Sequence, residues 1–130
     1  MIVVDTSVWV AALRNSDGPE AEPLRQLLDG DNVLLAMPVK IELLSGTSRR
    51  DRGTLRSGLS ALPVAYPTDD TWRLMNEWTD RASGADVAFG VGDLLIAAIA
   101  HEAGALVWSL DGAFDRLSRL GLVDLYDIQP

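Results

Sequence analysis

The run from Leu94 to Ala100 constrains this chain most: every residue in it is apolar. A helix built from it has no wet face, so it must lie buried in a packed domain. Gly104 marks its stop. Leu106-Val-Trp108 follows as a short apolar strand, which suits a sheet covered on both faces. Asp93 stands at the entrance of the buried helix, and Asp111 lies just past the end of the strand. An ionised carboxylate at such an entrance needs free helix N–H groups, a cation or water as its partner.

The rest of the chain alternates strands with helices. Ile2-Val-Val4 is a β-branched strand that ends at Asp5, and Thr6 or Ser7 can cap a helix from Val8 to Arg14. After a loop over 15–19, the spacing of Leu24, Leu27 and Leu28 predicts a helix from Pro19 to Asp29, stopped by Gly30. Val33 to Ala36 is a second strand. Pro38 opens a helix that carries Glu42 and ends near Gly46. Segment 48–62 is expected to be helical despite Gly53 and Gly58. Val64 to Tyr66 is a third strand, and Thr68-Asp-Asp70 caps a helix reaching about Ala82. A loop rich in small residues spans 83–90. Beyond Asp111, a helix from Ala113 to Leu120 stops at Gly121, and Val123-Asp-Leu125 is a candidate fifth strand. This order predicts a three-layer α/β/α sandwich around a short, mostly parallel sheet. One domain accounts for residues 1–130, with no repeat, low-complexity tract or linker to divide them.

The 48% hydrophobic content supports a packed globule. No apolar run approaches the length of a membrane span. The opening Met-Ile-Val-Val-Asp has no basic flank and does not read as a signal peptide, so a cytoplasmic protein with no membrane partner is expected. The chain has no cysteine and one histidine, His101, which excludes disulfides, thiolate zinc sites and His-rich metal sites. The net charge is −8, from 19 acids against 11 bases. Alone, that argues against a nucleic-acid partner. Two readings survive: ordinary solvated surface, or acids gathered to hold divalent cations. Arg49, Arg50, Arg52 and Arg56 cluster within one segment. They form either a solvated helix face or a patch supplying the positive field for a phosphate backbone.

In a parallel α/β sheet, ligands bind outside the carboxyl ends of the strands, near the point where strand order reverses. Asp5 and Asp111 are expected at that edge. Asp93 joins them if its helix runs back across the sheet, and Glu42 does so if it turns inward from the helix after strand two. Taken singly, each has a plainer role: Asp5 as a cap, Glu42 as an exposed helix residue, Asp93 as an N-cap, Asp111 as a turn residue. Taken together, they carry an electrostatic consequence. Two carboxylates about 5 Å apart repel by roughly 3 kcal/mol at an effective dielectric near 20. Such a cluster must take up protons or bind a cation. Oxygen-only donors favour Mg²⁺, with Mn²⁺ able to substitute, and that set suits metal-assisted hydrolysis of a phosphodiester. The alternatives are a non-catalytic α/β protein-binding module with an acidic surface, and, ranked below it, an aspartyl phosphatase or a phospho-acceptor domain. The phosphatase lacks a second acid at Ser7, and the phospho-acceptor lacks a lysine after a late strand, Lys40 being the only one.

The segments Ile2-Val-Val-Asp-Thr-Ser7, Val39-Lys-Ile-Glu-Leu-Leu-Ser-Gly46, Gly92-Asp-Leu-Leu-Ile-Ala-Ala-Ile-Ala100 and Ser109-Leu-Asp-Gly-Ala-Phe114 resemble the PIN-domain family, and within it the VapC-type toxins of toxin–antitoxin pairs. The resemblance spans nearly the whole chain in the family's order. It implies a Mg²⁺- or Mn²⁺-dependent endoribonuclease that inhibits translation, with Asp5, Glu42, Asp93 and Asp111 as acidic ligands. Ser7 and Ser109 match hydroxyl positions near the metal. The position before Phe114, acidic in many relatives, is Ala113, which bears on a second metal more than on the first. The resemblance also implies RNA as substrate, a homodimer, and a cognate antitoxin whose segment occupies the acidic groove, in an assembly that can grow larger. Trp72, Met75 and Trp78 suit such interfaces or the core.

Overall fold

The computed structural model describes residues 1–84 and 88–128. Four strands, β1 (Ile2–Val4), β2 (Val33–Ala36), β3 (Val64–Ala65) and β4 (Leu106–Trp108), form one sheet in the order β3-β2-β1-β4. All three pairings are parallel. Seven helices connect and cover them: α1 (Thr6–Arg14), α2 (Ala21–Asp29), α3 (Met37–Ser45), α4 (Arg49–Leu59), α5 (Asp69–Gly84), α6 (Val91–Ala103) and α7 (Gly112–Arg119).

The chain steps from β1 to β2 to β3 in one direction, then returns past β1 to β4. Right-handed crossovers therefore put α1 to α4 on one face and α5 to α7 on the other. The packing is consistent with this: α1 touches α2 and α3, and α3 touches α4, while α6 touches α5 and α7; α3 also reaches α6. The reversal makes the β1/β4 boundary the topological switch point, where a crevice opens at the carboxyl ends. The next residues after those two ends lead to Asp5 and Ser109.

Helix α6 explains the apolar run. It packs against β1, β2 and β4, and Leu94 and Ile96 to Ala100 are all buried, with only Leu95 part-exposed. Its alanines let helix and sheet approach closely. Gly104 ends it at φ 65°, its N–H meeting the Ala100 and His101 carbonyls, and Ala105 N–H also reaches Ala100 O at 2.9 Å. That left-handed cap turns the chain straight into β4. Met75 and Trp78 of α5 are core residues, whereas Trp72 is 48% exposed. His101 meets Leu122 O through Nδ1 at 3.1 Å and stands edge-on to Trp78, a structural role.

Boundaries differ from expectation where tertiary pairing decides them. Helix α1 begins at Thr6, because Asp5 itself is the cap and accepts from Ser7 N–H. Helix α2 begins at Ala21, since residues 18–20 form a turn, with Gly18 N–H on Asn15 O and Ala21 N–H on Gly18 O. Strand β3 stops at Ala65 because its partner β2 ends at Ala36, leaving Tyr66 nothing to pair with. The fifth strand shrinks to a single parallel bridge, Leu125 with Val107, held by Val107 N–H on Asp124 O and Tyr126 N–H on Val107 O. Helix α5 extends to Gly84. Of the loop expected over 83–90, residues 85–87 lie outside the described residues. No helix among the described residues is long and apolar enough to cross a membrane.

A Cβ added at Gly104 meets nothing within 4 Å, so a substitution there tests backbone conformation alone. Gly104→Ala is expected to lower unfolding free energy by about 1 kcal/mol, with Gly104→Asn costing less. Urea titration of both variants measures the difference.

Candidate active site

Asp5 follows β1 and is only 6% exposed. Its Oδ2 accepts hydrogen bonds from Ser7 Oγ at 2.7 Å and Ser109 Oγ at 2.8 Å. Each hydroxyl has one proton, and both go to Asp5, so the 3.3 Å contact between the two serine oxygens carries none. In turn Ser7 Oγ accepts Leu110 N–H at 3.0 Å, and Ser109 Oγ accepts Asp111 N–H at 2.9 Å. Asp5 N–H donates to Trp108 O at 2.8 Å. The carboxylate is thus pinned from β1, α1 and the β4–α7 turn together. All its side-chain hydrogen bonds among the described residues fall on Oδ2, which leaves Oδ1 for a ligand.

The other acids arrive on helices. Asp111 caps α7, accepting Ala113 N–H on Oδ1 at 3.0 Å. Asp93 lies in the first turn of α6, whose cap residue Gly90 offers no side chain to the free N–H groups. Asp5, Asp93 and Asp111 therefore sit at three helix N-termini, where the positive ends of the macrodipoles favour negative charge. Glu42 comes from α3, which packs on α1. It is exposed as a residue, but its carboxyl is desolvated enough to matter. Burial first, then the charges of Asp5 and Asp93, raise its pKa, against an opposing pull from the Thr6 hydroxyl. Thr6 Oγ1 is itself buried and forms no hydrogen bond of normal geometry among the described residues. Asp93 is raised too, by burial and then by Asp111 and Asp5, with Arg116 opposing.

Glu42 is therefore within electrostatic reach of Asp5 and Asp93, and Asp93 within reach of Asp5 and Asp111. The grouping is loose: among the described residues no three stand close enough to form a metal cage unaided. An all-oxygen set with Asp5 Oδ1 free of hydrogen bonds is the donor type that a hard divalent cation such as Mg²⁺ would take, with water filling its remaining positions. Ser7 and Ser109 lie at this place, orienting Asp5. Ala113 is buried, so an acid there would enter a packed position. Asp115 faces solvent, and Asp70 pairs with Arg73 on the exposed face of α5.

Three features had no visible signal in the sequence. Arg116 and Phe89 stand beside the acids, with the guanidinium 5.7 Å from the ring centroid. Thr6 adjoins Glu42. The arginine patch on α4 is also not uniform. Arg52 donates to Leu44 O at 3.0 Å and Thr47 O at 3.1 Å, so it closes the C-terminal end of α3 and is not a free phosphate ligand. Arg49, Arg50 and Arg56 are exposed.

A parallel α/β sheet with acids converging at its switch point defines a class, and family comparison gives it a name: the chain belongs to the PIN-domain family, which matches residues 2–120. Among curated proteins it is similar to Ribonuclease VapC11 of Mycobacterium tuberculosis, 32% identical over 126 residues, covering 92% of this chain and 93% of that protein. Among solved structures it resembles VapBC2 from Rickettsia felis bound to a DNA fragment from their promoter, with TM-score 0.79, 19% identity and coverage of 99% and 100% of the two chains. It also resembles VapC20 of Mycobacterium tuberculosis, a sarcin–ricin loop cleaving toxin, with TM-score 0.70, 21% identity and full coverage of both chains.

Two outcomes follow from this geometry. Ser109→Ala removes a donor to a buried carboxylate and is expected to cost about 2 kcal/mol of unfolding free energy, read by urea titration. The raised pKa values of Asp93 and Glu42 mean that the folded protein holds protons more tightly than the unfolded chain. Stability without divalent cations therefore falls as pH rises through those values and stays lower above them. Asp93→Asn is expected to raise Tm at neutral pH in chelator and to flatten that fall. Calorimetry across mildly acidic to neutral pH measures both, and an unchanged profile would contradict the coupling.

Proposed function

We propose that this protein is a Mg²⁺- or Mn²⁺-dependent endoribonuclease, the toxin of a toxin–antitoxin pair, which acts on RNA in the cytoplasm and so inhibits translation. The observation that carries it is the electrostatic coupling of Glu42 to Asp5 and Asp93, and of Asp93 to Asp111 and Asp5, with both pKa values raised first by burial and then by those charges. The VapC ribonucleases it resembles, and the VapBC complexes that share its fold, support the same reading.

In this reading Asp5, Asp93 and Asp111 hold the cation and Glu42 completes the set. When bound, the cation supplies charge that steadies both the attacking water and the leaving oxygen. Ser7 and Ser109 keep Asp5 in one orientation and present Oδ1 outward. Glu42, with its raised pKa and the Thr6 hydroxyl beside it, is the carboxyl suited to take a proton at Oε. The three helix N-termini keep the pocket from being wholly repellent to an anionic backbone. A cognate antitoxin partner and a homodimer accompany this reading. Exposed Tyr66 and Trp72 offer an apolar surface for contact with a second copy.

Incubation of the purified protein with total RNA and Mn²⁺ is expected to give discrete fragments, with none in chelator. Asp5→Asn is expected to lower the rate roughly a hundred-fold or more, the scale of losing one charge-stabilising group in an active site. Cleavage that survives chelation or persists undiminished in Asp5→Asn would falsify the assignment.

A further inference from the structure

The acids repel a polyanion, so a phosphate backbone needs a fixed cation at the rim. Arg52, taken by the carbonyls that end α3, cannot serve. Arg116 is placed differently. It projects from α7, the helix capped by Asp111, and its guanidinium stands over Phe89. Phe89 immediately precedes Gly90, the cap of α6, and is half-buried against the core. The pair therefore links the start of α6, the helix that presents Asp93, to the last turn of α7, the helix capped by Asp111. Arg116 is exposed, and among the described residues the only ion pairs within 4.0 Å are Arg25–Glu22 and Arg73–Asp70. An arginine seated on an aromatic face keeps its N–H edge available for a bidentate contact with phosphate.

We propose that Arg116, seated over Phe89, is the chain's own phosphate-binding residue at the rim of this site, gripping an RNA phosphate next to the one that is cut. The proposal rests on the nuclease reading and adds to it a residue that is not an acid. It assigns Phe89 the task of positioning the guanidinium, and it places the incoming strand along the α6–α7 side of the pocket, away from α4. The charge of Arg116 reaches Asp93, where it opposes the net rise in pKa caused by burial, Asp111 and Asp5. The same guanidinium therefore lies within electrostatic range of the reacting groups without closing onto them.

The test uses fluorescein-labelled single-stranded RNA of mixed sequence. Binding is followed by anisotropy over a range of KCl concentrations in the non-cleaving Asp93→Asn background. Cleavage kinetics are measured in the otherwise unaltered protein. Arg116→Gln, which keeps a stem over Phe89, is expected to weaken binding roughly ten-fold, the scale of one charge-assisted hydrogen bond. It is expected to make the slope of log K against log salt shallower by about 0.7, one phosphate contact on a single strand. In kinetics KM rises more than kcat falls. Arg116→Lys restores the salt slope and part of the affinity. Phe89→Leu keeps the slope but weakens binding by a smaller factor. If Arg116→Gln matches the parent in affinity and slope while the unaltered protein cleaves RNA and Asp5→Asn does not, this proposal falls and the nuclease reading stands. A loss confined to kcat, with affinity and slope unchanged, also overturns it. An unaltered protein that neither binds nor cleaves RNA overturns both.

Discussion

The pinned carboxylate of Asp5 is the constraint on which the rest of this site depends. A buried carboxylate without partners would cost several kcal/mol, and here two serine hydroxyls meet one oxygen while the backbone N–H of Asp5 meets the carbonyl of Trp108. These bonds join β1 to β4 at the carboxyl ends, the one place where neighbouring strands lead the chain away in opposite senses. The serines are held in turn by backbone N–H groups of the β4–α7 turn, so the position of Asp111 is tied to that of Asp5. A single hydrogen-bonded unit thereby sets the geometry of two of the acids.

The remaining electrostatics are a balance of opposed terms. Burial and like charges push Asp93 and Glu42 toward neutrality. Three helix N-termini, the Thr6 hydroxyl and Arg116 act the other way. The balance leaves the pocket under-neutralised, so a divalent cation bound there would relieve a repulsion already present. The net charge of −8 is thus a poor guide to partners, because a cation bound at the site would change the local sign.

The arginine-rich helix illustrates how one residue type can serve two ends. Arg52 stabilises the last turn of α3, the helix that carries Glu42, by adding charge-assisted hydrogen bonds to the Leu44 and Thr47 carbonyls. Its neighbours on α4 stay in solvent. Positive charge near the acids comes instead from α7, brought there by packing against α6. Linear clustering of charge describes a segment, whereas the field at a site depends on which helices touch.

Much of the fold was legible in the linear order. The apolar run in α6, the β-branched opening strand and the glycine stops are local signals with local physical causes, and they fixed the alternation of strands and helices and hence the parallel sheet. The acids were legible as candidates because Asp5 and Asp111 stand where a strand leads into a helix and Asp93 at a helix entrance, with Glu42 inside the helix that follows strand two. Pairing was not: β3 and the residues after Val123 are cut short by what lies across from them, and no local propensity carries that information. Only the tertiary structure turned Ser7 and Ser109 into donors to one oxygen, set Arg116 over Phe89 beside Asp93, and withdrew Arg52 from the solvent-facing patch. Those roles depend on distances between residues far apart in the chain, and such distances exist only once the helices have packed.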